Sequence, residues 1–190
     1  MKAIPVTVSR LAMHDRAALV RHFLALSPDD RRLRFGSALT DAGLRAYAKT
    51  LSFIRDEFHA VRDAEMRILG VVHIARGHGV PEIGLSVIEA ARGQGIGGVL
   101  FAHAVQRLRV LGDREVQMRY LAENAAMMHL AQRHGMEIVM SGADSEARLK
   151  LPPATPETVI AEWWCSQQAA VVDSVRRNLR AARPRKSPRR

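Results

Sequence analysis

Between residues 4 and 11, Val6 and Val8 alternate with Thr7 and Ser9, the period-two pattern of a strand with one buried face. The period then lengthens. Leu19, Phe23 and Leu26 recur at helical spacing, and Asp15 is placed to cap the helix that carries them. Ser27-Pro28-Asp29-Asp30 predicts a second helix with proline at its first position. Thr40-Asp41 opens a third, bearing Leu44, Tyr47 and Leu51. Three strands follow over 58–63, 66–75 and 81–88. The second is apolar enough (Ile68, Leu69, Val71, Val72, Ile74) for the centre of a sheet. In the third, Ile83, Leu85 and Val87 share a face, and residues 76–80 form the hairpin loop between these two strands.

After a glycine-rich segment, Ile96, Val99, Leu100, Ala104, Leu108 and Leu111 predict one apolar face of a longer helix, stopped at Gly112. A strand over 115–121, a short helix over 124–134 ended by Gly135, and strands over 136–140 and 147–151 complete the pattern, with no internal repeat. Pro152-Pro153-Ala154-Thr155-Pro156 is a stiff boundary. Beyond it, Ile160, Trp163, Trp164, Val171, Val175 and Leu179 mark a long amphipathic helix. The organisation is therefore a domain over 1–151, a boundary and helix over 152–182, and a basic tail over 183–190.

Composition narrows this picture. At 190 residues and 47% hydrophobic, the chain suits one folded domain and excludes a disordered composition. Its one cysteine, Cys165, excludes an internal disulfide framework and a multi-cysteine zinc site, and its place beside Trp164 suggests packing. No apolar run approaches the roughly 20 residues of a membrane span, and the first residues lack a secretory signal, so a cytoplasmic location is expected. The net charge of +10 invites a nucleic-acid reading. However, eight of the 29 basic residues lie between Arg176 and Arg190, leaving 21 against 19 acidic ones elsewhere. Weak, salt-sensitive nucleic-acid contact is thus a property to expect of the tail alone, and a solvated tail explains the charge equally well.

The chemistry concentrates in Arg92-Gly93-Gln94-Gly95-Ile96-Gly97-Gly98, where a strand turns into a helix. Glycines let the backbone approach a ligand, and the first helical turn offers unpaired N–H groups and a positive dipole end to a phosphate. A P-loop would need Lys-Ser/Thr after its last glycine, and Gly98 and Val99 stand there instead. Gly93, Gly95 and Gly98 fit a dinucleotide fingerprint in spacing, but four strands precede them and Glu115 opens a strand, which disfavours that reading. His103 and His129 lie on helices without metal-ligand spacing, and no metal site is expected. Met127 and Met128 read as core, and Trp163 and Trp164 as packing for the last helix, against its own domain or a second copy in a homodimer.

The loop resembles the pyrophosphate loop of the GNAT superfamily of N-acetyltransferases, Arg/Gln-x-x-Gly-x-Gly/Ala, with Arg92, Gly95 and Gly97 in its places. A second mark agrees: Asn124 is followed eleven positions on by Gly135 and a bulky residue, Met136. The run from Leu26 to Phe35 is similar to a subgroup that includes bacterial protein-lysine acetyltransferase domains. The resemblance implies an α/β (α+β) fold, with a mixed central sheet of about six to seven strands splayed at the cofactor site and flanked by helices. It implies acetyl-CoA as cosubstrate, an amine acceptor (a small molecule or a protein lysine), and direct attack through a tetrahedral intermediate.

By the same resemblance, the backbone of Leu85, Ser86 and Val87 holds the pantetheine, residues Arg92, Gly93, Gln94, Gly95, Ile96, Gly97 and Gly98 hold the pyrophosphate, and Asn124 binds the cofactor arm or a water. Glu82 is the candidate base, with an exposed strand-end carboxylate as the plain alternative; His73 is a second candidate. The tyrosine that commonly protonates the thiolate is replaced by Ala131, and Tyr120 is a speculative acid. That replacement also motivates an alternative, a non-catalytic acyl-CoA-binding regulatory module.

Overall fold

The computed structural model describes residues 7–77 and 79–160 and, past these, 164, 167, 168, 171, 172 and 174. Strand β1 (Val8–Arg10) leads through a 3-10 turn, Met13–Asp15, into α1 (Arg16–Leu24), α2 (Pro28–Phe35) and α3 (Asp41–Thr50). Strands β2 (Glu57–Arg62), β3 (Ile68–Ala75) and β4 (Glu82–Val87) follow. A second 3-10 turn, Glu89–Ala91, precedes α4 (Ile96–Val110), β5 (Glu115–Leu121), α5 (Ala125–Arg133), β6 (Glu137–Ser141) and β7 (Asp144–Lys150). The seven strands form one mixed sheet in the order β1-β2-β3-β4-β5-β7-β6. The region 4–11 predicted as a strand is shorter here, and residues 4–6 lie outside the described residues.

Local sequence explains the helix starts. Ser27 and Thr40 are extended caps whose hydroxyls accept from the Asp30 and Gly43 amides, and Pro28 fits the first helical position. Asp15 differs from expectation. Its side chain makes no cap to α1; Oδ2 accepts from the Ala12 amide at 3.0 Å and Oδ1 from Arg62 Nη2 at 2.7 Å. The 3-10 turn places this carboxylate beside a buried guanidinium, and that stronger charged partner takes it.

Two cores flank the sheet. One gathers Leu19, Phe23, Leu26, Leu44, Leu51, Phe58 and Val71 beneath α1 and α3. The other packs Ile96, Leu100, Phe101, Ala104 and Leu108 of α4 on Val72, Ile74, Ile83, Leu85, Val116 and Met118. Val99 does not share that face and is 37% exposed, whereas Phe101 is fully buried. At about 100° per residue, Val99 points well away from the stripe of Ile96, Leu100, Ala104 and Leu108.

Helix α4 is fastened at two levels. Its start rests on Gly70 of β3, where an added Cβ would lie 2.8 Å from Ile96 Cγ2 and 3.0 Å from Leu100 Cδ1. Farther along, Arg107 Nε and Nη2 each donate to the Glu57 carboxylate at 2.9 Å, and His59 Nε2 lies 3.0 Å from the same group. Burial opposes the Glu57 charge, yet these partners hold its carboxyl well below the usual range. The proline boundary is also tied to α4, since Arg109 donates to the carbonyls of Pro152 and Pro153. Gln106 donates to Thr158 O at 3.0 Å, within a helical stretch over 156–160.

Beyond 160, Trp164 is 57% exposed. Cys165, Trp163 and the tail over 183–190 lie outside the described residues.

Gly70→Ala should lower unfolding free energy by about 1–3 kcal/mol in urea titrations, the usual cost of overpacking a closed core contact. An unchanged midpoint would show that α4 moves aside freely.

Candidate functional site

Strand β4 pairs with β3 along its whole length, Ala75↔Glu82 through Gly70↔Val87. Its other edge meets β5 at one position, Glu82↔Gln117, reinforced by the Gln117 amide donating to Pro81 O at 2.9 Å. Past that point the strands diverge, and β5 is paired with β7 over Glu115–Leu121 instead. The backbone of Leu85, Ser86 and Val87 therefore faces an opening between two strands.

The glycine loop closes one end of this opening. Gly93 and Gly95 have φ of +72° and +75°, and Gly95 is the residue preceding α4. Such left-handed positions suit glycine, and they turn the first amides of α4 outward. Val99 N–H donating to Gly95 O begins the helical ladder, so the amides of Ile96, Gly97 and Gly98 lack partners within it.

A cavity of about 740 Å³ follows the open edge of β4. The sequence-predicted residues Leu85, Ser86, Val87, Arg92, Gly93, Gly95, Ile96, Gly97, Gly98 and Asn124 all line it. Gln94 does not; its side-chain amide donates outward to Ala90 O at 3.5 Å. Asn124 Oδ1 accepts from the Met127 amide at 3.2 Å, capping α5, and its Nδ2 donates to Leu33 O across the cleft.

The three candidate proton carriers stand outside the lining. Glu82 begins β4 with a side chain 39% exposed and 3.4 Å from Arg119 Nε. His73 faces Gly84 from β3, stacks on Phe58 at 4.3 Å, and has Nε2 3.4 Å from Asp56 Oδ2 without hydrogen-bond geometry. Tyr120 is in the α4 core, its hydroxyl buried without a partner, and burial pushes the phenol pKa up. Ala131 is fully buried.

Sequence reasoning missed the wall that α2 contributes. Asp30, Leu33 and Arg34 line the cavity, as do His129, Leu130 and Arg133 of α5. Asp30 Oδ1 pairs with Arg92 Nη2, and its Oδ2 accepts from the Ser27 hydroxyl at 2.7 Å. Although burial works against its charge, Ser27 and Arg92 hold its carboxyl below the usual range. The only sequence signal for Asp30 is an acid in the first turn of a helix, which ordinarily serves the helix dipole.

His22 of α1 was also missed. Its Nδ1 donates to Ile68 O at 3.1 Å, so Nε2 accepts from the Ser86 hydroxyl at 2.9 Å. Burial drives the pKa of His22 from 6.5 to about 4. His73 is likewise lowered to about 4, by burial first and by Arg34 next. Both imidazoles are neutral near pH 7.

The family model described as the acetyltransferase (GNAT) domain matches residues 6–137. Among curated proteins, none matches the chain. The fold is similar to that of the GNAT domain of S. lividans PAT, with a TM-score of 0.65 and 18% identity over 76% of this chain and 89% of that one. It is similar to spermidine N-acetyltransferase from Vibrio cholerae, solved with CoA and spermine (TM-score 0.59, 15% identity, 76% of this chain, 95% of that one). A putative acetyltransferase from Salmonella typhimurium, yncA, solved with acetyl-CoA, also aligns (TM-score 0.60, 12% identity, 80% and 97%).

The buried histidines set an acid limit on the fold. Each titrates near 4 when folded and near 6.5 when unfolded, so the unfolded chain binds more protons between those values. Stability should fall as pH drops from about 6.5 to about 4, by roughly 2 kcal/mol per histidine at pH 5. His22→Gln should flatten the dependence in urea titrations across this window; an unchanged slope would remove His22 as a source.

Proposed function

We propose that this chain, which belongs to the acetyltransferase (GNAT) domain family, transfers an acetyl group from acetyl-CoA to a primary amine. The observation that carries this reading is one continuous cavity joining the open edge of β4 to the unpaired amides of the glycine loop. Those two features fit the two ends of the cosubstrate. Three amides at a helix start and the Arg92 guanidinium suit a pyrophosphate, and a free strand edge suits the amide-bearing pantetheine arm. Acetyl-CoA supplies an acyl carbon open to attack and a thiolate that leaves.

The chain's own groups would do the rest. Arg92, now paired with Asp30, turns its fork to the pyrophosphate, with Asp30 close enough to keep it oriented. A β4 amide near Ser86 donates to the thioester oxygen as negative charge develops there. The amine must reach the cleft without its extra proton. Glu82 shares a strand face with Gly84 and Ser86, and through water it accepts that proton. His73 is a poor base, because burial and Arg34 depress its pKa to about 4. Tyr120 serves the core instead of the cleft, so the departing thiolate takes its proton from solvent.

The non-catalytic alternative draws on Ala131, which puts a buried methyl where the family's usual acid stands. Turnover separates the two readings. Thiol release from acetyl-CoA above background with a panel of amines and peptides supports transfer; tight binding with no release supports the module.

Arg92→Gln should weaken CoA binding by about tenfold or more in calorimetry, the loss expected of a charged hydrogen bond. Glu82→Gln should reduce kcat by roughly 100-fold while CoA affinity stays within twofold. A proportional loss of both by Glu82→Gln would count against Glu82 as base.

A further inference from the structure

Arg34 is a cation in the cleft that this chemistry leaves unused. It stands one helical turn beyond Asp30 on α2 and lines the same cavity. Its guanidinium rests directly on the backbone of β4: a Cβ on Gly84 would come within 2.6 Å of Arg34 Cζ and 2.8 Å of Nη1. The guanidinium also lies over the Phe35 ring, with Cζ 5.2 Å from the centroid. Glycine at 84 is thus what makes room for the fork.

The charge rests on the Phe35 ring but has no hydrogen-bonded anion among the described residues. Among the described residues, none forms a hydrogen bond or ion pair with Arg34, and its Nε is shut off from solvent with nothing to donate to. Burial works against the charged form, and Tyr47 and Glu82 attract it only through space, Glu82 being engaged with Arg119. Nearby His22 and His73 are neutral and offer no negative charge. Holding a guanidinium so is unfavourable unless an anion arrives.

Position identifies which part of a ligand that anion belongs to. Gly84 lies three residues before Val87, roughly 10 Å down the strand from the loop end. That distance separates Arg34 from the pyrophosphate cradle and puts it where acyl group and amine would meet. One fork, lying against Gly84 in a cavity that Leu33 and Leu85 also line, matches a carboxylate in size and in bidentate geometry. A phosphate dianion would exceed the single charge that Arg34 offers.

We propose that Arg34 receives a carboxylate at the transfer end of the cleft, carried either by the amine acceptor or by the acyl group. The identity of those two ligands rests on the transfer reading above. The anion site itself rests only on Arg34, Gly84 and the cavity.

Calorimetry on the full chain tests this with matched probes. One set is glycine, β-alanine and 4-aminobutyrate against their carboxamides, each titrated with and without saturating CoA. The other set is succinyl-CoA against acetyl-CoA. In at least one set the carboxylate-bearing member should bind about tenfold tighter or more, as expected of a charge-assisted pair. Arg34→Gln should abolish that preference, and Arg34→Lys, which keeps the charge without the fork, should retain part of it. Preference within the amines assigns the carboxylate to the acceptor; preference for succinyl-CoA assigns it to the acyl group. No preference in either set, or one that survives Arg34→Gln, overturns the proposal. CoA alone is the control for the cofactor cleft: equal affinity for wild type and Arg34→Gln shows that the cleft is intact. Failure of wild type to bind CoA would defeat the transfer reading, while the amine titrations without CoA would still decide the role of Arg34. Thermal unfolding of Arg34→Gln at or above the wild-type temperature is expected, because it removes an unpaired charge.

Discussion

Everything at the site follows from one broken ladder. Strand β4 keeps β3 as a full partner and gives β5 a single pairing, Glu82↔Gln117. Parallel neighbours would ordinarily continue side by side, because each buried N–H and C=O left unpaired is costly. Here β5 is claimed along its length by β7, while α4 lies over β3 and β4, its first buried residue, Ile96, seated on Gly70. The two halves of the sheet are held by different partners and part company. The unmatched edge of β4 is the consequence, and a ligand that pairs with it restores what the sheet lacks.

The electrostatics of the cleft follow the same logic of incomplete pairing. Arg92 has Asp30, whereas Arg34 has no counter-ion among the described residues. Around them, His22 and His73 are kept neutral, by burial first and then by the arginine itself. The contrast with Glu57 is instructive. There the carboxylate takes two donors from Arg107 and one contact from His59, a closed network that fastens α4 to β2. Charge that is satisfied serves the fold, and charge that is left open faces the cavity. The chain's basic excess is unrelated to either, since it gathers after Arg176.

Much of this was legible in the sequence where the governing interaction is local. Ser27, Thr40 and Asn124 announce three helices through side chains that cap amides three residues on. The alternation of Ile83, Leu85 and Val87 gives the buried face of β4, and the glycine loop gives its end. What escaped depends on distant parts of the chain. Asp15 looks like a cap until Arg62 is brought beside it. Val99 is a different kind of miss, since the helical period alone already turns it from the stripe of Ile96 and Leu100. Asp30 and Arg92 are 62 positions apart, and neither residue type signals the other.

Helix α2 is anchored to its neighbours by hydrogen bonds that need no ligand. Arg31 holds it, donating to Leu24 O at 2.9 Å, Leu26 O at 3.0 Å, Leu39 O at 3.1 Å and Asp41 Oδ1 at 2.8 Å. One guanidinium thereby joins the end of α1, the start of α2 and the approach to α3. On the helix so fixed, Asp30 and Arg34 are four residues apart and share a face. The first reaches the glycine loop through Arg92, and the second lies on Gly84 of β4. The helix so anchored sets the spacing of these two positions along its axis at about 6 Å, the rise of four residues. The rise of α2 and the longer run of β4 from Gly84 to Val87 thus place the two groups by backbone geometry, and each side chain spans the remainder to its own contact.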